Sequence, residues 1–334
     1  MEFQLTHQSR IFEPGPFGQC HASTVVRLAG GRYLAAWFGG TKEGASDVSI
    51  HGAVREPVGE WSPPVQWARV CDSPHWNPVL FAPRDGTVML FFKEGPRCDR
   101  WRTWVTRSLD SGGSWEAPVE VVPGDVGGRG PVKNKPVVLS DGSWLAPNSL
   151  EDGGRWRVLT DRSADGGRTW SAGPEVAMDG AVVSGEGAIQ PTLWESAPGC
   201  VHMLTRSSCG FICRSDSGDY GSTWSQLEPT SLPNNNSGID LDRSPDGAIL
   251  LAYNRVSKNW GPRTPLSLAV SSDNGATWKD ACDLETAAGE YSYPAVIATP
   301  EGFAGTYTWK RASIVFWEGR LEAGAGETHG SSSR

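Results

Sequence analysis

The sequence predicts an all-β fold, a six-bladed β-propeller of four-stranded antiparallel blades. Three observations predict it. A turn motif recurs at a step of about 54 residues, a hairpin signal out of phase with it occurs six times, and the chain carries 41 Gly, 24 Pro and 16 Trp. That composition suits many aromatic-anchored turns and few long helices.

The turn motif is S-x-D-x-G-x-x-W. It occurs at Ser108-Asp110-Gly112-Trp115, Ser163-Asp165-Gly167-Trp170, Ser217-Asp219-Gly221-Trp224 and Ser271-Asp273-Gly275-Trp278, with the Trp positions 55, 54 and 54 apart. Stepping back 54 from Trp115 lands on Trp61, a degenerate fifth copy. The Asp side chain accepts backbone N–H groups within such a turn, Gly supplies the tight backbone, and Trp buries its ring between strands. These residues are expected to be structural.

The hairpin signal is Gly31, Gly86, Gly142, Gly199, Gly247 and Gly302, each followed by an apolar run and preceded by another short strand. Two strands there and two more around the turn motif give four per repeat, and 334 residues divided by 54 give six repeats. The expected organisation is one domain over 1–321 and a flexible Gly/Ser-rich tail over 322–334.

Composition narrows the function classes. The net charge of −8 argues against a nucleic-acid binder. No run of about 18 apolar residues is present, so no membrane span is expected. Met1 to Arg10 is polar and lacks the apolar stretch of a signal peptide. The seven cysteines lack metal-ligand spacing and read as free thiols of a cytoplasmic protein. No metal site and no cofactor fingerprint is visible.

Equivalent positions of each repeat surround one axis, so polar residues recurring at one phase converge. One phase, before the first strand of each blade, holds His21, Trp76-Asn77, Lys133-Asn134-Lys135, Gln190, Asp240 and Tyr291-Ser292-Tyr293. A second, after the second strand, holds Lys93-Glu94, Asn148 with Glu151, Arg206, Asn254-Arg255 and Lys310-Arg311. Antiparallel strands bring both phases to one opening, a local basic pocket with aromatic walls that suits an anionic sugar. His75 shares the first phase; His51 reads as a site or a core histidine.

The repeats resemble the Asp-box, or BNR-repeat, branch of the sialidase superfamily, over nearly the whole chain. That resemblance implies a substrate carboxylate held by three arginines, with Arg206 and Arg263 matching the second and third and His21 standing where the first would be. It implies a Tyr nucleophile, matched by Tyr291 in Tyr291-Ser292. The Glu that pairs with this Tyr falls near Gln190 or Glu186. The acid/base carboxylate falls in the loop after the first hairpin, at Glu43 or Asp47.

Three readings follow, each with an acidic oligosaccharide or glycoconjugate as partner. In a retaining exo-glycosidase, Tyr291 attacks, Glu43 or Asp47 protonates the leaving oxygen, Arg206 and Arg263 clamp the carboxylate, and Glu186 or Glu151 activates the Tyr. Asn77, Asp240, Tyr293, Lys93, Lys135 and Arg311 complete the substrate-binding set. In a polysaccharide lyase, Lys93 or Lys135 joins the arginines on a uronic carboxylate, with His21 as base and Tyr291 or Tyr293 as acid. In a non-catalytic glycan-binding propeller, Trp76, Trp101, Trp104 and Trp260 stack on sugars. The first is the reading preferred here.

Overall fold

The computed structural model describes residues 2–83 and 86–322. The expected tail from 323 onward lies outside them, and Glu322 ends a strand, Ser313–Glu322. The described residues form six four-stranded antiparallel sheets. Their inner strands are Gln19–Arg27, His75–Phe81, Val137–Val138, Ala188–Ala197, Asp240–Arg243 and Tyr291–Thr299, opening blades I to VI.

In blades I to V the strands run outward in chain order. Blade VI differs: its outer strand is Glu2–Arg10, paired antiparallel with Ser313–Glu322 from Glu2↔Glu322 to Arg10↔Val315. The polar start of the chain therefore closes the ring. It alternates exposed positions with buried or half-buried ones, as an edge strand with one covered face does. Second strands such as Tyr33–Gly40 are buried nearly throughout because a neighbouring blade covers each face. They read as apolar runs for the same reason.

The four complete Asp boxes share one geometry. The first Ser hydroxyl donates to the Asp at 2.8, 2.8, 2.8 and 2.7 Å in Ser108, Ser163, Ser217 and Ser271. The same hydroxyl accepts the Gly N–H at 2.8–2.9 Å. The Asp also accepts the N–H and hydroxyl of Ser114, Thr169, Thr223 or Thr277, a position the sequence motif left open. These bonds, the side-chain one foremost, push Asp110, Asp219 and Asp273 down to about 2. A Cβ on Gly112 would stand 2.3 Å from the Leu34 side chain, so the Gly is required for packing as well as for its φ of 87°.

The opposite ends of the inner strands are irregular in a recurring way. Register jumps from His21 to Thr24, Trp76 to Val79, Ile189 to Thr192 and Ser292 to Ala295. Each jump is a β-bulge containing a non-Gly residue at positive φ: Ala22 (57°), Asn77 (43°), Gln190 (53°) and Tyr293 (51°). Such backbone costs about 1–3 kcal/mol per residue and clusters at functional sites.

Candidate active site

At this end of the propeller axis lies a cavity of about 380 Å³. The bulges supply Asn77, Gln190 and Tyr293 to its lining, and His21 and Ile189 precede two of the bulged positions. Arg206, Arg263, Arg311, Glu43 and Glu151 line it from the strands and loops around them. Trp76, Trp101, Trp156 and Trp260 form aromatic walls.

Tyr293 is the centre of the polar network. Its hydroxyl accepts from Arg206 Nη1 at 2.9 Å and from Gln190 Nε2 at 3.4 Å. Arg206 is 3% exposed yet bonds only neutral partners: Gln190 Oε1 at 3.2 Å, Asn236 Oδ1 at 3.0 Å and Tyr293. Its guanidinium stands 5.5–5.9 Å from the rings of Trp156, Trp260 and Tyr293. A buried guanidinium with neutral hydrogen-bond partners is set up to receive an anion. Arg263 lies 5.6 Å from the Tyr293 ring and donates to Glu290 Oε1 at 2.8 Å. Arg311 donates Nε to the same oxygen at 2.9 Å and Nη1 to Glu43. Arginines 263 and 311 thus share Glu290, whose carboxyl they hold below its usual range against the opposing effect of burial.

His21 is 2% exposed, with its ring 4.3 Å from that of Tyr293 and Nδ1 3.0 Å from Thr308 Oγ1. Burial, reinforced by Arg311, Arg263, Arg206 and Lys133, drives its pKa well below the ordinary histidine value and keeps the ring neutral. Glu151 is shifted the opposite way: burial raises its carboxyl, and Arg206 only partly opposes this.

The structure redistributes the expected residues. His21, Glu43, Asn77, Gln190, Arg206, Arg263, Tyr293 and Arg311 meet at the cavity. Tyr291 does not: it is 1% exposed and packs in the apolar cluster between blades V and VI, so Tyr293 is the tyrosine at the pocket. The bulge at Tyr293 decides which of the two turns inward. Asp47 is exposed and caps its own loop by accepting Thr41 N and Oγ1 at 2.9 and 2.5 Å. Glu186 is outside the cavity lining, whereas Glu151 lines it together with Glu43. Lys93 Nζ is turned under the 128–130 loop, donating to Thr103 Oγ1 and Gly128 O at 2.7 and 2.6 Å.

Lys135 and Asp240 are channel pins below the pocket. Lys135 Nζ donates to Leu241 O and Val296 O at 2.8 and 2.7 Å, and Asp240 accepts Thr192 Oγ1 and Val296 N at 2.7 and 2.8 Å. Lys133 makes the same crossing one layer higher, to Ile239 O at 2.6 Å and to Pro294 O. His75 bridges backbone groups of Val48, Ser73 and Val70. Sequence reasoning missed Glu290 and the wall position of Trp156. A signal for Tyr293 was present: Asn77-Pro78, Gln190-Pro191 and Tyr293-Pro294 place Pro after the bulged residue at one phase.

Solved structures share this architecture. A protein of unknown function from Dyadobacter fermentans is 17% identical, with 96% of this chain and 99% of that one covered at a TM-score of 0.78. Trypanosoma rangeli sialidase, in complex with 2,3-difluorosialic acid, is 15% identical, with 94% and 59% covered at 0.72. NanB sialidase of Streptococcus pneumoniae is 14% identical, with 96% and 70% covered at 0.69. At these identities the likeness is one of fold. No curated protein matches the chain. The BNR repeat-like domain model matches residues 31–305, and the chain accordingly belongs to that family, on a sialidase-type propeller.

Proposed function

We propose that the protein is an exo-acting glycoside hydrolase for a sugar bearing a carboxylate, working with retention. One observation carries this reading: Arg206, Arg263 and Arg311 line one pocket with Tyr293, whose hydroxyl accepts from Arg206, in a chain with net charge −8. Arg311 supplies a third guanidinium although His21 stands at the strand start where the sialidase resemblance puts one. Lys133 and Lys135 bridge the blades below the pocket, which supports a site entered from the mouth.

The substrate carboxylate would take the free donors of the three guanidiniums, and Trp156 and Trp260 would flank the ring. Tyr293 would attack the anomeric carbon, a phenol being less repelled by the substrate carboxylate than a carboxylate nucleophile. Its proton would pass to neutral His21, whose affinity for it rises once the substrate's negative charge offsets the surrounding cations. The covalent intermediate named for the T. rangeli sialidase complex is consistent with this route.

β-Elimination beside a uronic acid is the second reading. The observation favouring it is the neutral His21 ring against Tyr293, a base and acid pair beside carboxylate-binding arginines. Mass analysis of products from a mixed panel of sialosides and uronic-acid oligosaccharides separates the cases. Products that gain the mass of water support hydrolysis, and an unsaturated product without that gain supports elimination. Binding without turnover would leave a glycan-binding propeller.

A further inference from the structure

We propose that Glu151 is the proton donor to the leaving oxygen, and that a second cavity on its far side receives the leaving-group part of the glycan. The inference rests on the hydrolase reading above. The second cavity, about 340 Å³, is lined by Asp99, Arg100, Asp125, Arg129, Asp152 and Arg157 among others. Glu151 is the one residue among those described that lines both it and the sugar pocket. A glycosidic oxygen sits at the boundary between the sugar being cut and the group that leaves, so its proton donor must stand at that boundary.

Local structure fixes the position. Glu151 lies near the end of the strand Trp144–Asp152, opposite Trp156, whose ring walls the sugar pocket. The 3-10 turn Cys98–Arg100 packs against that strand, with Cys98 on the sugar-pocket side and Asp99 and Arg100 on the other. Burial favours the protonated carboxyl. Glu43, where the family resemblance points, is instead paired with Arg311 and lines only the sugar pocket of the two. The second cavity mixes carboxylates and guanidiniums and has no aromatic lining residue, which suits a hydroxyl-rich sugar.

The step balances. The anomeric C–O bond breaks, its electron pair stays on the leaving oxygen, and that oxygen takes the Glu151 proton. The anomeric carbon bonds to Tyr293 Oη, and the phenol proton goes to His21. In the second half Glu151 carboxylate takes a proton from water, and the hydroxide oxygen bonds to the anomeric carbon. The bond from that carbon to Tyr293 Oη breaks with its electron pair staying on Oη, and Oη recovers its proton from His21.

The test compares Glu151→Gln with the unsubstituted protein on paired substrates: a 4-nitrophenyl sialoside with sialyllactose, and a 4-nitrophenyl glucuronide with a glucuronosyl disaccharide. Nitrophenolate leaves without protonation, whereas a sugar alkoxide does not. The expected result is a kcat/KM loss of about 10²–10⁴-fold on the disaccharide and less than tenfold on the nitrophenyl glycoside. Added azide, which needs no base, restores nitrophenyl turnover as a glycosyl azide. The alkaline limb of the disaccharide kcat/KM profile disappears. The groups facing this carboxyl are Cys98, Asp99 and Arg100 from the turn, Asp152 and Arg157 from its hairpin, Arg206 from blade IV, and Asp125 and Arg129 from the loop between blades. Cys98, whose thiol is also raised by burial, is checked as Cys98→Ser, which must keep the limb. Equal losses on both substrates of a pair, or the leaving-group dependence appearing in Glu43→Gln instead, would overturn the assignment. If the unsubstituted protein hydrolyses none of the four, the hydrolase reading itself falls. Circular dichroism and Tm establish that each variant is folded.

Discussion

The two ends of the repeat behave in opposite ways. Four Asp boxes reproduce one set of hydrogen bonds to within about 0.2 Å. At the mouth, bulged strand starts repeat the backbone but carry Ala22, Asn77, Gln190 and Tyr293, no two alike. The turns are held by contacts within four residues, so the same local requirement selects the same side chains each time. The bulges fix only a direction, and what each side chain does there depends on the other blades. Repetition marks the scaffold; variation on a repeated backbone marks the site.

The hardest test of that contrast uses two tyrosines two residues apart. Tyr293→Phe is expected to lower kcat on the order of 10³-fold or more with Tm little changed. Tyr291→Phe is expected to keep kcat within tenfold, its effect falling on stability. Steady-state kinetics with thermal melts decide, and a reversal would move the site away from the bulge. Next in size, Trp170→Ala in an Asp box removes a buried ring and is expected to cost about 3–5 kcal/mol of stability. Denaturant unfolding measures it, and kcat of the folded fraction should hold. Arg206→Gln then probes a mouth position: losing a charge-assisted contact worth about 2–3 kcal/mol predicts a kcat/KM fall of roughly 30- to 150-fold.

The last test concerns the lysines beneath the mouth. Burial pulls Lys93 and Lys133 down to about 7. Lys133 Nζ nonetheless faces three acceptors, for which only the ammonium has three donors. From pH 7 to 9 the unfolded chain keeps these protons while the folded one releases them, so stability should rise with pH. Above that window the buried Cys20 thiol, pushed up to about 12, acts in the opposite sense. Unfolding midpoints across the window should climb for the natural chain and flatten in Lys93→Met/Lys133→Met.

Much of the site was legible because the 54-residue step aligns the blades. His21, Gln190 and Arg206 were found by phase alone, and Arg263 through the family resemblance. Tyr291 and Tyr293 were both expected at the pocket, and only Tyr293 lines it, because strand alternation has period two and a bulge shifts it by one without leaving a gap in the sequence. Lys93 and Asp240 share the phase of the mouth, yet their side chains turn to backbone groups instead. The closing strand Glu2–Arg10 was missed because one covered face leaves only a weak apolar alternation.

By itself the sequence determined the number of blades, the turns that shape them and the end of the propeller where charge collects. All of these depend on spacings within a repeat or between repeats. Tertiary structure alone decided which tyrosine faces the pocket, that Arg311 reaches Glu43 across 268 residues, and that Glu290 joins Arg263 to Arg311. The physical reason is that these partners come from different blades. Their meeting depends on ring closure and on the direction each bulge imposes, and neither is a property of any single segment.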